Sequence, residues 1–201
     1  MFSIIQAAGW PIWFLILASI VTVALIIERA MTLQRRKILP AGLLEELITL
    51  HRNRQMTPEI IQRLERSSAL GRIIANGLRH ELEPRDMVKD AMEETGRAVA
   101  HDLERYLPAL GTLATVSPLL GLFGTVIGMI EIFGSQTPTG TNPAQLAHGI
   151  SIALYNTALG IAVAIPALIA YRIFRARVDD FLVEMEQQSL RLVDAIKGGR
   201  R

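Results

Sequence analysis

Few side chains in the middle of this sequence can do chemistry, and their types narrow what that chemistry is. From residue 106 to residue 171 the only charge is Glu131, while Ser117, Thr125, Asn156 and Thr157 place neutral oxygens inside long apolar runs. The hydroxyls of Thr125 and Thr157, at similar depth in two such runs, can hydrate a passing ion or hydrogen-bond a partner's ionised side chain. Ser117 and Asn156 are candidates for the same lining. Asn156 can equally bond across helices. The rival use of a helical threonine is local, a bond to the carbonyl one turn back. An intramembrane carboxylate is a functional group by default. Glu131, however, stands three residues from Gly134, where an outer interface would solvate it, so an interfacial or inter-subunit role fits it better than proton carriage.

Other chemistries find no support. His51, His80, His101 and His148 show no ligand spacing, and the chain has no cysteine, so neither a metal nor a cofactor is expected. The glycines at 121, 124 and 128 have no following Lys-Ser or Lys-Thr and do not form a phosphate loop. No nucleophile–base–orienter set is visible, which points away from an enzyme. A net charge of +2 gives no footprint for nucleic acid.

The elements that must hold these residues follow from where the charge is absent. Half of the 201 residues are hydrophobic, and 21 Lys and Arg stand against 19 Asp and Glu. Residues 1–27 carry none of that charge, 28–105 hold 14 basic and 13 acidic residues, and 172–201 hold 7 and 5. This predicts an all-α integral membrane protein with three transmembrane helices and long cytoplasmic helical extensions. The first span is 9–27, about 28 Å as a helix, close to the thickness of a hydrocarbon core. Trp10 and Trp13 sit at its start, and no basic side chain precedes it, which argues for a retained anchor over a secretory signal. The second span is 106–133 and the third 147–171, joined by a short connector, 134–146, free of Lys and Arg. Arg29, Arg35, Arg36 and Lys37 follow the first span, and Arg172, Arg175 and Arg177 follow the third. The positive-inside rule then places the external N-terminus 1–8 and the connector in the periplasm, with 28–105 and the tail 172–201 in the cytoplasm.

The cytoplasmic parts read as helices. Thr57-Pro58 and Glu83-Pro84 are helix starts, with proline at the first helical position. Val88, Met92, Thr95, Val99, Leu103 and Tyr106 then recur at helical spacing, predicting one long helix that runs into the second span. Phe174, Val178, Phe181, Met185, Leu192, Val193 and Ile196 form a second stripe, so a helix from Leu146 to Lys197 would reach about 75 Å and project from the bilayer.

In the second span Ser117, Gly121, Thr125 and Gly128 share a face, with Gly124 beside them. In the third, Gly149, Ala153, Thr157, Gly160 and Ala164 do. Small residues let membrane helices approach closely, so packing is the plain reading of both stripes. Pro118 and Pro166 each remove an intrahelical bond and are expected to kink their spans, which neighbouring helices in an assembly tolerate.

The stretches Gly121-Leu-Phe-Gly-Thr-Val-Ile-Gly128, Gly149-Ile-Ser-Ile-Ala-Leu-Tyr-Asn-Thr-Ala-Leu-Gly160 and Ala162-Val-Ala-Ile-Pro-Ala167 resemble the MotA/TolQ/ExbB proton-channel family. The three-span layout is similar to its ExbB and TolQ members. The resemblance implies a homopentamer in the bacterial inner membrane, around a lumen that holds single-span partners of the ExbD/TolR type. Each partner supplies a membrane aspartate, and the motor energises a TonB- or TolA-like protein. It implies that Thr125 and Thr157 are the family's two span threonines. Many relatives carry a glutamate where this sequence has Ile152, and isoleucine cannot titrate, so a proton path here needs a second protein. A non-conducting membrane scaffold is the alternative.

Overall fold

The computed structural model describes residues 9–134 and 143–198. The expected external N-terminus 1–8, connector residues 135–142 and tail residues 199–201 lie outside the described residues. The described residues form eight α-helices and no strand: α1 Ile12–Thr32, α2 Arg35–Ile38, α3 Leu43–Arg52, α4 Pro58–Ser67, α5 Ala69–Arg79, α6 Arg85–Glu104, α7 Leu107–Gly134 and α8 Pro143–Gly198. Three stretches are long and apolar enough to cross a membrane: α1, the α6–α7 stretch and the α8 stretch. The chain is an all-α membrane protein.

Two compact units emerge, and the charge-poor segments gather in one of them. The apolar unit contains residues 9–28, 106–134 and 143–173, and the charged unit 29–105 and 174–198. In the apolar unit α1 is one-sided. Ile12, Leu15, Ala18 and Thr22 are buried, while Trp13, Phe14, Leu17, Ile20 and Val23 are exposed. Such an apolar outer surface suits lipid or neighbouring membrane helices. Helix α7 continues through Pro118 and α8 through Pro166. Each proline leaves one carbonyl without its N–H partner, yet neither ends its helix.

The charged unit is built on large side chains. Helices α4, α5 and α6 pack in succession, and Leu64, Leu70, Ile73, Ile74, Leu78, Val88, Met92 and Val99 are buried. Each such side chain contributes about 1.5–3 kcal/mol by leaving water. The residues that divide α4 from α5 are two serines: Ser67 donates back to the Leu64 carbonyl at 2.7 Å, and the Ser68 hydroxyl caps α5 by accepting from the Gly71 amide at 3.0 Å. Asn76 of α5 donates to the Ala91 carbonyl and Thr95 hydroxyl of α6, each at 2.8 Å. The predicted stripe of α8 is the buried one in this unit, with Phe174, Val178, Phe181, Met185, Leu192 and Val193 inside.

The predicted single helix from residue 84 into the second span is corrected. It breaks at Arg105–Tyr106, where Arg105 is extended (φ −50°, ψ 136°) and Tyr106 is left-handed (φ 66°). Pro108 is the physical cause. It cannot donate to the Glu104 carbonyl, and its ring crowds that carbonyl. The new helix then starts with the Leu110 amide bonding the Tyr106 carbonyl at 3.2 Å. Two smaller differences also involve proline. Helix α6 begins at Arg85, with Pro84 as its cap, one residue later than predicted. Helix α8 begins at Pro143, so the last four residues expected in the connector are already helical.

Candidate functional site in the apolar unit

The two small-residue faces meet each other. A Cβ built on Gly121 would lie 2.7 Å from the Asn156 carbonyl oxygen and 3.0 Å from the Thr157 Cα. One on Gly160 would lie 2.6 Å from the Ser117 carbonyl oxygen and 3.1 Å from the Gly121 Cα. Further along, Gly128 faces Ala153, with a Cβ at 3.3 Å, and Gly149 faces Ile132. Toward the opposite end Gly111 faces the Tyr171 ring at 3.4 Å. These pairings describe antiparallel helices in close backbone contact, which side chains larger than hydrogen at 121 and 160 would prevent. Ala153 and Ala164 are buried as well.

That contact decides where the predicted site residues go. Ser117 is 0% exposed and Asn156 is 1% exposed, so within the single chain both are enclosed. Among the described residues the Ser117 hydroxyl has no hydrogen-bond partner. Thr125 and Thr157 are instead half-buried, one at an edge of each packed face. The Thr125 hydroxyl donates to the Leu122 carbonyl at 2.6 Å, the local use open to any helical threonine. Thr125 also opens onto a shallow apolar depression of about 530 Å³ along α7, lined by Val126, Met129, Ile130 and Phe133. The structure thus separates an enclosed pair, Ser117 and Asn156, from a pair with open edges, Thr125 and Thr157. The Ile152 side chain lies outside the described residues.

Glu131 is exposed in the last turn of α7. The Trp10 ring meets Phe123 edge-on with centroids 6.1 Å apart, and Phe14 at 5.9 Å. The start of α1 is therefore level with the middle of α7, and Glu131 lies two turns further on, about 12 Å. Among the described residues no His, Cys, Asp and Glu cluster could hold a metal.

The charged unit contains a residue whose role the sequence pattern did not reveal. Arg29, on the last turns of α1, is 2% exposed, and its guanidinium donates to the Leu103 carbonyl at 3.2 Å, in the last turn of α6. A cation at a helix C-terminus satisfies an orphan carbonyl and complements the helix dipole. As one of four basic residues after the first span, Arg29 looked like a topology signal only. Exposed ion pairs tie α8 to the rest of this unit: Arg175 to Glu104 at 2.9 Å, Arg35 to Glu184 at 2.6 Å, and Arg85 to Asp194. Lys197 donates to the Glu81 and Glu83 carbonyls.

A membrane unit of three apolar helices, two of them in glycine-mediated contact and without a charge in their interior, defines a membrane-embedded helical protein. Comparison with known proteins gives the class a family. The chain matches the MotA/TolQ/ExbB proton channel family over residues 65–187. It is 33% identical over 163 residues to an ExbB-like biopolymer transport protein of Synechocystis sp., covering 79% of this chain and 77% of that one. It is 29% identical over 186 residues to the biopolymer transport protein exbB1 of Vibrio cholerae, covering 90% and 82%. It is also 49% identical over 76 residues to the Tol-Pal system protein TolQ of Pseudomonas aeruginosa, covering 37% and 33%. The chain belongs to the MotA/TolQ/ExbB proton channel family.

Proposed function

We propose that this protein is an ExbB/TolQ-like subunit of an inner-membrane proton-channel motor. In this reading it assembles as a homopentamer, N-terminus in the periplasm and C-terminus in the cytoplasm. The assembly encloses single-span ExbD/TolR-like partners and energises a TonB- or TolA-like protein. One observation carries the reading: the membrane helices hold no charged side chain between residues 106 and 171 other than Glu131, at the exposed end of α7. A proton-channel family member with no interior carboxylate needs a titrating group from a second protein. The charge asymmetry around the spans supports the orientation. Thr125 and Thr157, at the open edges of the α7–α8 contact, are the groups we assign to the lumen. Ser117 and Asn156 form the enclosed layer behind them.

The test is proton flux into liposomes containing the full chain and a co-expressed single-span partner that has one membrane aspartate. Flux is expected with both proteins and is lost when that aspartate becomes asparagine. Thr125→Val and Thr157→Val are each expected to lower flux about tenfold with the assembly intact. A purified complex that conducts nothing would overturn the motor reading. It would favour the second reading, a non-conducting scaffold, which draws on the local bond from Thr125 to Leu122 and on the mutual packing of the two small-residue faces.

A further inference from the structure

Asn156 stands out among the residues of the α7–α8 contact. It is the one carboxamide among glycines, alanines and hydroxyls, it is 1% exposed, and it lies opposite Gly124. A Cβ on Gly124 would come within 2.8 Å of both the Asn156 Cβ and Cγ, and within 3.0 Å of its amide nitrogen. The backbone at the same place is equally close, since the Asn156 carbonyl oxygen abuts Gly121. The Asn156 side chain therefore fills a notch that exists only because position 124 has no side chain. One turn of slippage would bring it against Gly121 or Gly128. Such a slip carries all of α8 with it: toward Gly128 it sets Ala153, with its Cβ, against Ile132 where Gly149 now lies, and toward Gly121 it sets Thr157 where Gly160 now abuts the Ser117 carbonyl, a place without room for a Cβ.

We propose that Asn156, seated against Gly124, is a positioning residue that fixes the register of α7 against α8 and thereby the presentation of Thr157, the next residue. Its importance for flux rests on the motor reading above; its role in register does not. The glycines at 149 and 160 disfavour neighbouring registers by leaving no room for a Cβ, and Asn156 adds the one long side chain that the contact must house. A protruding side chain with a hole to receive it reinforces that selection, as a polar residue does in a coiled-coil seam.

The cysteine-free sequence allows register to be read directly. Ile132→Cys with Gly149→Cys makes a reporter pair, because a Cβ on Gly149 lies 3.7 Å from the Ile132 Cβ, within the disulfide range. In the full chain with its single-span partner, Gly124→Ala is expected to slow disulfide formation by about tenfold through overlap with Asn156. Asn156→Ala alone loosens register and slows it by about threefold, while the double variant recovers to within about twofold of the parent. Gly128→Ala, which meets only Ala153, is the control, and Asn156→Ala does not rescue it. Independent, additive defects for Gly124→Ala and Asn156→Ala would overturn the proposal. So would unchanged cross-linking in both. Proton flux is measured on the same variants without the cysteine pair, and recovery of flux in the double variant confirms that register acts through presentation of Thr157. A normal cross-linking cycle in a complex that never conducts leaves the register assignment standing and removes the motor reading alone.

Discussion

The apolar and charged units of this protein are both helical and use opposite means to hold helices together. In the apolar unit, α7 and α8 meet through Gly121, Gly124, Gly128, Ala153 and Gly160, and backbone lies nearly against backbone. In the charged unit, α4 to α6 meet through Leu64, Leu70, Ile74, Leu78, Val88 and Met92, with ion pairs such as Arg72–Asp102 and Arg79–Glu65 outside. The difference follows from the solvent. In water, burying a large apolar side chain is favourable, so large side chains hold the unit together. In lipid that driving force is absent, and association depends on close approach and on a few polar contacts. Many large residues of the apolar unit, among them Phe14, Leu119, Leu122 and Ile165, lie on its outside, while Leu15 and Leu110 are buried.

Mutations can break this contrast at graded cost. The largest effect is expected from Leu70→Ala in the charged unit, where Leu70 is wholly buried; the cavity should cost about 4 kcal/mol, read as loss of folded protein in detergent denaturation. Gly160→Leu comes next. Its Cβ alone would overlap the Ser117 carbonyl oxygen, and neither backbone can yield, so a loss of about 3 kcal/mol and of α7–α8 cross-linking is expected. If Gly160→Leu were tolerated while Leu70→Ala was not, the two packing modes would not differ as described. Arg29→Met, which removes a buried donor from the Leu103 carbonyl and leaves that acceptor unsatisfied, should cost about 2 kcal/mol in the same assay.

The smallest effect concerns the surface of the charged unit. Glu65 accepts a hydrogen bond from Arg79, which holds its carboxyl below the usual carboxylate value. Its contribution is full above the unfolded carboxylate range and is lost as pH falls through the lowered folded value. Because the pair is exposed, the effect should be slight and further reduced by salt. Comparing Glu65→Gln with the parent from neutral pH down to acid pH would check the direction. A variant that is less stable than the parent at acid pH but equal at neutral pH would contradict it.

Much of this architecture was legible from charge and spacing. Three charge-poor runs specified three membrane helices, and the stripe from Phe174 to Val193 specified a helix extending well past the third run. Thr57-Pro58 marked the start of α4 because proline needs no N–H at that position. The boundary between α6 and α7 was harder to place, because the apolar spacing through Val99, Leu103 and Tyr106 continues across it. The break depends on what Pro108 does to a carbonyl four residues earlier, and periodicity does not register that. The sequence also identified the small-residue faces without identifying their partner. Glycine and alanine at helical spacing say that something comes close, and pairwise geometry was needed to show that each face meets the other.

Sequence alone marked which helices are apolar enough to cross a membrane, since the cost of burying charge in lipid is large enough to be written into composition. It also settled that no charged side chain lies inside the second and third spans apart from Glu131. Which polar residues stay enclosed and which keep an open edge was decided by tertiary structure. Ser117 and Thr125 lie on one face by helical arithmetic, yet one is sealed and the other half open, because a second helix covers only part of that face. Arg29 passed from a topology signal to a helix cap for the same reason: its partner, the Leu103 carbonyl, lies 74 residues away in the chain and adjacent only in the fold.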